Sequence, residues 1–280
     1  MSRLDVKKTY KLYIGGKFPR SESGRTYPAL DSDGTVLARV AAASRKDLRD
    51  AVRIARSAVP GWSALSGYNR GQILYRIAET LEDRSGTFVE QLTDIGSTPV
   101  AAKKEVASAI DRLVWYAGWA DKFAQIYGNL NPVSGPFFNI SAPEPTGVVG
   151  VVAPEEPGLL GLVSRLAPVL VPGNTAIVLA SEAAPMPAIT FSEVLDSSDV
   201  PGGVVNLLTG NKDSLIPFLA DHMDVNAVDA GGATPEQVTR IQEGAVHNVK
   251  RVVIPDDTQQ SPYRIAAFTE TKTVWHPKGL

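Results

Sequence analysis

The sequence predicts an α/β protein with a doubly wound parallel sheet. From residue 147 onward, short and uninterrupted apolar runs alternate with longer segments of helical periodicity. Such runs are typical of parallel strands that helices cover on both faces, and the alternation is typical of successive strand–helix units. Before residue 125 the apolar spacing is mainly helical. The predicted fold therefore places an N-terminal helical segment ahead of the sheet.

Turn signals, cap signals and apolar spacing predict each element in order. Ser44 is followed three residues later by Asp47, and this pairing is typical of a helix start because each side chain can bond a free backbone amide. Apolar residues at helical spacing follow it. Before residue 147, the predicted elements are strands at residues 11–18 and 36–40, a helix after Ser44, and helices at about 68–83 and 101–125.

The second half of the chain predicts a Rossmann-like core, because five apolar strands there alternate with four helices. The turn-rich residues 255–262 follow, and a β-prone segment at 271–275 is predicted as a separate terminal strand. The predicted core strands are residues 147–152, 176–179, 204–208, 227–228 and 251–254, and the predicted helices are residues 159–170, 187–195, 214–220 and 235–245.

Composition excludes several classes of function. The chain has 280 residues, enough for about two lobes. Its 28 basic and 30 acidic side chains nearly balance, so it lacks the basic excess of a nucleic-acid-binding protein. The sequence contains no cysteine, which removes disulfides, thiolate metal sites and any cysteine nucleophile.

No targeting or membrane segment is predicted. The first eight residues carry charges without a following apolar region. The most apolar stretch, residues 158–172, contains Arg165 and two interior or flanking prolines and is too short to span a bilayer. We therefore expect a cytoplasmic protein with neither a membrane nor a nucleic acid as its partner.

Several motifs in series resemble the NAD(P)-dependent aldehyde dehydrogenase family. They are Lys-Leu-Tyr-Ile-Gly-Gly-Lys at residues 11–17, Glu-Pro-Thr-Gly-Val-Val-Gly at 144–150, Gly-Asn-Thr-Ala-Ile-Val at 173–178 and the glycine-rich segment 200–210. The resemblance covers nearly all of residues 10–254. Residues 263–275 resemble the extreme C-terminus of full-length members, which carry their whole catalytic domain between the positions of Ile254 and Ser261.

The resemblance implies a cofactor-type domain joined directly to a small β oligomerisation arm. This layout is similar to the truncated, non-catalytic second module of family members that carry two dehydrogenase units in one chain. The predicted organisation is N-terminal strands and helices of the cofactor-type domain at 1–124, an oligomerisation hairpin at 125–149, a Rossmann-like core at 150–260 and a C-terminal oligomerisation strand at 261–280.

The family's catalytic groups have no counterparts in this sequence. Its thiolate nucleophile is missing because there is no cysteine. The position of the asparagine amide that donates to the oxyanion is taken by Glu156, whose ionised carboxylate accepts hydrogen bonds and repels negative charge. The position of the general-base glutamate is taken by Pro255. No catalytic residue is predicted.

The family's cofactor contacts are also reduced. Leu179 stands where a lysine reaches the adenosine ribose, whereas the nearby acid persists as Glu182. In the glycine turn at the pyrophosphate, Gly232 remains but Gln237 replaces the second glycine, and Asp229 adds negative charge. We therefore predict no intact cofactor site, with Glu182 and Gly232 as vestiges. NAD or NADP is not expected to bind tightly here and is expected in a partner subunit.

Simpler structural roles are favoured for most of these residues. A helix-start or surface carboxylate is favoured for Glu182 over a ribose ligand, and a turn glycine is favoured for Gly232 over a phosphate contact. The pair Glu155-Glu156 lacks a matching cluster for metal or acid–base chemistry, and the histidines show no metal-ligand spacing. No metal site is predicted.

Two classes of function follow from these observations. The first is a non-catalytic subunit that assembles with and supports a full-length NAD(P)-dependent aldehyde dehydrogenase, docking through the 125–149 hairpin and the 268–275 strand. The alternative is a divergent oxidoreductase of the same family, or a nucleotide-binding module, with another chemistry. A polar cluster that replaces the lost catalytic groups would distinguish the two, and none is apparent in the sequence.

Overall fold

A computed structural model describes residues 6–255 and 259–279. Within these residues the strands form a five-stranded sheet and two three-stranded sheets. The strands are β1 Thr9–Tyr10, β2 Thr26–Leu30, β3 Val36–Ala41, β4 Asn129–Asn131, β5 Phe137–Pro145, β6 Val148–Val152, β7 Thr175–Leu179, β8 Val205–Leu208, β9 Ala227–Asp229, β10 Arg251–Val253 and β11 Thr269–Pro277. The helices are α1 Arg45–Ala64, α2 Gly67–Asp83, α3 Ser85–Asp94, α4 Pro99–Trp119, α5 Phe123–Tyr127, α6 Gly158–Leu170, α7 Pro185–Asp196, α8 Lys212–Asp221, α9 Pro235–Ala245 and α10 Pro262–Ala266.

The central sheet has the order β10-β9-β6-β7-β8, and its strand pairs are parallel. Strand β6 is buried along its whole length. Its alternate residues face opposite layers: Val148 and Val152 pack with helices α1, α8 and α9, whereas Val149 and Val151 pack with α2, α4, α6 and α7. The predicted α/β class is therefore confirmed, because β6, β7, β8 and β9 are buried parallel strands and the partly exposed β10 lies at the edge of the sheet.

The N-terminal strands form a small sheet of order β1-β3-β2 beside the main body. Buried side chains of this sheet pack against Met186 and Ile189 of α7. Ser44 and Asp47 form the expected capping box at the start of α1, with Asp47 accepting from the Ser44 amide at 2.7 Å.

The third sheet is an antiparallel arm of order β11-β5-β4. Strand β11 pairs with β5 over nine residue pairs, from Thr269 opposite Pro145 to Pro277 opposite Phe137. The segment after residue 261 is anchored to the main body before it enters the arm. Ile265 and Phe268 are buried in the main core, and the Asn174 side-chain amide donates to the Phe268 carbonyl at 2.9 Å.

Several local elements differ from the sequence predictions. Residues 11–18 form single bridges instead of a regular strand, because Tyr13 pairs with Leu207 while Ile14 pairs with Lys17 across the glycine turn. The helix predicted over 101–125 is divided into α4 and α5, and the Lys122 amine bonds the Gly118 carbonyl at the break. Strand β2 and helices α3 and α10 were not predicted. Within the described ranges, no helix is long and apolar enough to cross a membrane.

Candidate functional site

The candidate site is the crevice at the carboxyl ends of the central strands. The chain leaves β6 toward β7 and β8 and returns to place β9 on the other side of β6. Doubly wound folds bind ligands at such a switch point, outside the carboxyl ends of the strands. The loops that follow β6, β7, β8 and β9 surround this crevice, and they contain most of the positions selected from the sequence.

Glu155, in the loop after β6, holds the loop after β7. Its Oε2 accepts from the Ser181 hydroxyl at 2.9 Å and from the backbone amides of Glu182 at 2.8 Å and Ala183 at 3.0 Å. Burial raises the pKa of Glu155, but hydrogen bonds from Lys212 and from the Ala183 amide outweigh burial and lower the pKa below its usual value. Glu155 therefore stays ionised and connects two strand-end loops.

Lys212 begins α8 and places its amine at the end of β6. The side chain is only 2% exposed. Its Nζ donates to the Ala153 carbonyl at 2.6 Å and forms an ion pair with the Glu155 carboxylate. A buried lysine is costly unless it is paired, so these two bonds compensate for its burial.

Glu182, predicted as a vestigial ribose contact, bonds the start of α8. Its Oε1 accepts from the Lys212 amide at 2.7 Å, and its Oε2 accepts from the Asn211 side chain at 3.3 Å. Asn211 also caps α8 by accepting from the Ser214 amide at 2.9 Å. The carboxylate thus has the helix-start position favoured from the sequence.

Gly232 lies where the turn after β9 approaches the loop after β6. A Cβ atom at Gly232 would lie 2.3 Å from both the Ala153 carbonyl carbon and the Pro154 nitrogen. The Gly232 amide donates to the Val152 carbonyl at 3.0 Å. This glycine therefore has a packing role, which leaves its vestigial cofactor role as a prediction.

Gln237, which replaces the second glycine of the turn, completes the capping box of α9. Its side-chain oxygen accepts from the Thr234 amide at 3.0 Å, and its side-chain nitrogen donates to Asp213 Oδ1 at 2.7 Å. The starts of α8 and α9 are therefore linked by a side-chain hydrogen bond.

Asp229 ends β9 and is buried beneath the turn. Its Oδ1 accepts from the Gly231 amide at 2.9 Å. Burial raises the pKa of Asp229 to about 6, although the nearby Arg165 and the Gly231 amide act in the opposite direction. The carboxyl group thus titrates close to the ordinary range of a histidine.

The remaining sequence-selected residues do not form a catalytic cluster with these groups. Leu179 is buried in the core layer that includes α1 and α8. Glu156 is exposed and lines an open groove of about 500 Å³ beside the crevice. Pro255 lies near Gly231. In the described ranges, no group of three or more acidic or histidine side chains could hold a metal ion.

Sequence reasoning missed Lys212 and Glu105. Glu105 lies in the first half of α4, and its Oε1 accepts from the amides of Leu159 at 2.8 Å and Leu160 at 3.2 Å in the first turn of α6. Lys212 stands four residues after an apolar strand, and this position could have marked it as a residue at the carboxyl edge of the sheet. No local pattern marks Glu105, because its partners are more than 50 residues away.

Comparison with known proteins decides the family. The aldehyde dehydrogenase family pattern matches residues 19–255. The chain belongs to the aldehyde dehydrogenase family. It is 31% identical to cytosolic 10-formyltetrahydrofolate dehydrogenase of Xenopus tropicalis, over 90% of this chain and 29% of that protein. It is 32% identical to aldehyde dehydrogenase, cytosolic 1, of Elephantulus edwardii, over 87% of this chain and 49% of that protein.

A solved structure agrees with this assignment. The NAD-dependent aldehyde dehydrogenase from Sinorhizobium meliloti superposes with a TM-score of 0.81 at 25% identity, covering 88% of this chain and 50% of that one. The chain therefore spans about half the length, or less, of these aldehyde dehydrogenase relatives. The family and the α/β fold inferred from the sequence motifs are both confirmed.

Proposed function

We propose that this chain is a non-catalytic member of the aldehyde dehydrogenase family that assembles with and supports a full-length NAD(P)-dependent aldehyde dehydrogenase in the cytoplasm. The observation that carries the proposal is the arm. Strand β10 ends at Val253, α10 begins at Pro262, and β11 then pairs with β5 along nine residues. The arm therefore lies on a chain whose sequence lacks the family's nucleophile, and this combination supports a docking role.

The chemistry of the matched positions supports the non-catalytic part of the proposal. Without a thiolate there is no group to attack an aldehyde and hold the product while hydride departs. The Glu156 carboxylate accepts hydrogen bonds at the position where the family's asparagine amide donates one. Pro255, at the position of the general-base glutamate, has no side-chain group that can accept or release a proton. Loss of a single oxyanion donor typically costs about 10²–10³ in rate. We expect no tightly bound NAD or NADP in this chain, the cofactor being held by the partner.

The arm has two features suited to a partner. Strand β11 is an edge strand of the arm, and an edge can accept a strand of another chain through backbone hydrogen bonds. One arm face carries four large apolar side chains that are 42–62% exposed. On this apolar arm face Ile140 lies opposite both Leu130 and Val274, and Phe138 is two residues along β5. Clustered exposed apolar residues are typical of protein contact surfaces.

The alternative of a divergent enzyme or nucleotide-binding module is not favoured by any feature of the site. The polar side chains at the carboxyl edge of the sheet bond to one another and to loop amides. Their hydrogen bonds therefore stabilise the loops. These side chains do not form a new catalytic group of nucleophile, base and oxyanion donor.

Purification of the tagged chain from its native cells tests the proposal. We expect a full-length aldehyde dehydrogenase to co-purify in a fixed ratio, and we expect the separated chain to produce no reduced cofactor from aldehydes. The double variant Ile140→Asp/Val274→Asp places charges on the apolar arm face and should abolish co-purification. Val100→Asp is a matched control, because Val100 is 79% exposed at the start of α4, away from the arm.

Substitutions suit this test better than a truncation. A deletion that begins at residue 268 would remove Phe268 from the core and would confuse unfolding with loss of docking. Unchanged co-purification of the Ile140→Asp/Val274→Asp variant would exclude the arm as the interface. Aldehyde-dependent reduction of NAD or NADP by the separated chain would exclude the non-catalytic role.

A further inference from the structure

The helix starts at the carboxyl edge of the sheet are bonded by glutamates of the chain itself. Free amides at a helix start are the donors that bind phosphate groups in doubly wound folds. Glu105 accepts from two amides of the first turn of α6. Glu155 accepts from the two amides that precede α7, and Glu182 accepts from the first amide of α8. We call these three residues the glutamate caps.

The glutamate caps come from three different parts of the fold. Glu105 belongs to a helix packed on α6, Glu155 to the loop after β6 and Glu182 to the loop after β7. Glu105 and Glu182 bond amides of an adjacent helix start, whereas Glu155 bonds the loop amides that precede the N-cap of α7. Charge-assisted bonds from a carboxylate to backbone amides are among the stronger hydrogen bonds in proteins. A phosphate group would have to displace these bonds to reach the same amides.

Lys212 follows β8 along the chain, and its side chain reaches the end of β6. Its amine bonds both Ala153, directly after β6, and Glu155, and its stem is buried at the start of α8. Gly232 brings the turn after β9 into direct backbone contact with the same Ala153. The crevice is thus filled from the β8 side by a lysine and narrowed from the β9 side by a turn.

The carboxylates that line the adjoining groove also oppose an anion. Glu105, Glu155 and Glu156 all line the groove of about 500 Å³ that opens beside the crevice, whereas the Lys212 amine is already neutralised by Glu155. A dinucleotide carries negative phosphates, and carboxylates within a few ångströms would repel them. The residues at this crevice therefore do not fit a nicotinamide dinucleotide.

We infer that the nucleotide crevice of this chain is closed from within by the glutamate caps and Lys212, which take over the bonds that a dinucleotide would make. The carboxyl edge of the sheet is thereby held in its folded form without a ligand. The proposed function already expects no tightly held NAD or NADP, and the glutamate caps with Lys212 give that expectation a structural cause. Docking through the arm does not depend on it, because a subunit could dock with an open crevice or a closed one.

Amide hydrogen exchange on the full chain tests the inference directly. The amides at 159, 160, 182, 183 and 212 should exchange slowly in the absence of nucleotide, and 5 mM NAD or NADP should not alter them. Glu105→Ala should accelerate exchange at 159 and 160 alone, by about tenfold or more, because a bond to a charged acceptor contributes about 1.5 kcal/mol or more. Glu155→Ala should accelerate 182 and 183, and also 212, because it removes the ion pair that holds the buried Lys212 side chain. Glu243→Ala, on the exposed face of α9, is the matched control.

Amine acylation of the unmodified chain gives a second readout that requires no variant. Lys212 should react at least about tenfold more slowly than Lys46, whose side chain is 61% exposed.

Fast exchange of the cap amides that becomes slow on adding NAD would overturn the inference. Protection of Lys212 from acylation only in the presence of NAD would do the same. Neither result would affect co-purification with a partner, so failure here is distinguishable from failure of the proposed assembly with a full-length enzyme. Either result would also contradict the expectation that this chain holds no NAD or NADP tightly.

Discussion

Replacing Gly232 by alanine should destabilise the fold even though no nucleotide is involved. Gly232 is not among the glycines with a positive φ, so alanine can adopt its backbone conformation. The cost comes from space, because the added methyl group would lie 2.3–2.4 Å from three backbone atoms of Ala153 and Pro154. Overpacking typically costs 1–3 kcal/mol, and the obstructing atoms here are backbone atoms that cannot rotate away. We therefore expect a loss of about 3 kcal/mol in the free energy of unfolding.

Urea unfolding monitored by circular dichroism measures this loss, and a thermal melt should show a decrease of about 5–10 °C. Gly86→Ala is the matched control. Gly86 lies within α3, and a Cβ atom there would meet no other atom within 4 Å. Alanine should therefore stabilise that helix by about 0.5–1 kcal/mol. If Gly232→Ala unfolds within about 0.5 kcal/mol of the parent with an unchanged m-value, the packing role assigned to Gly232 is wrong.

Three further predictions concern stability. Val249 is 91% exposed and has a φ of 55°, a left-handed conformation that costs a β-branched residue about 1–2 kcal/mol, so Val249→Gly should raise the urea midpoint. Phe268→Ala should lower the free energy of unfolding by about 3–5 kcal/mol, as for other buried aromatics, in the same urea assay. Because the pKa of Asp229 rises from 3.8 to about 6 on folding, protonated Asp229 contributes stability that is lost as the pH increases from about 4 to about 6. Over this range the free energy of unfolding of the parent should fall by about 3 kcal/mol relative to that of Asp229→Asn. Asp229→Asn should lack this loss, and parallel pH profiles of parent and variant would refute it.

The central sheet could be predicted from the sequence because its signal is local. Runs such as Val148–Val152 and Thr175–Leu179 are apolar at every or nearly every position, which is typical of strands covered on both faces. Helix α10 was missed because five residues carry too little periodicity to identify a helix. The residues 11–18 were predicted as a strand because their composition is β-prone, but long-range bridges determine their conformation.

The crevice could be predicted only in part, for a related reason. Family motifs identified Glu182 and Gly232, and cap preferences gave Glu182 its helix-start role. The bonds of Glu105 to α6 join residues 54 and 55 positions apart. The Lys212–Glu155 pair joins residues 57 positions apart. Such pairings depend on how layers of the fold meet, and no spacing rule within one element contains that information.

The anchoring of residues 262–268 has a consequence for synthesis on the ribosome. Ile265 and Phe268 fill the same core cluster as side chains of α2, α4 and β6, so these earlier elements reach their full packing only after residue 268 has left the ribosome. Until then the nascent chain exposes the apolar surfaces that these two side chains cover, and exposed surface of this kind is what chaperones and proteases recognise. Completion of the core is therefore coupled in time to synthesis of the strand that forms the arm.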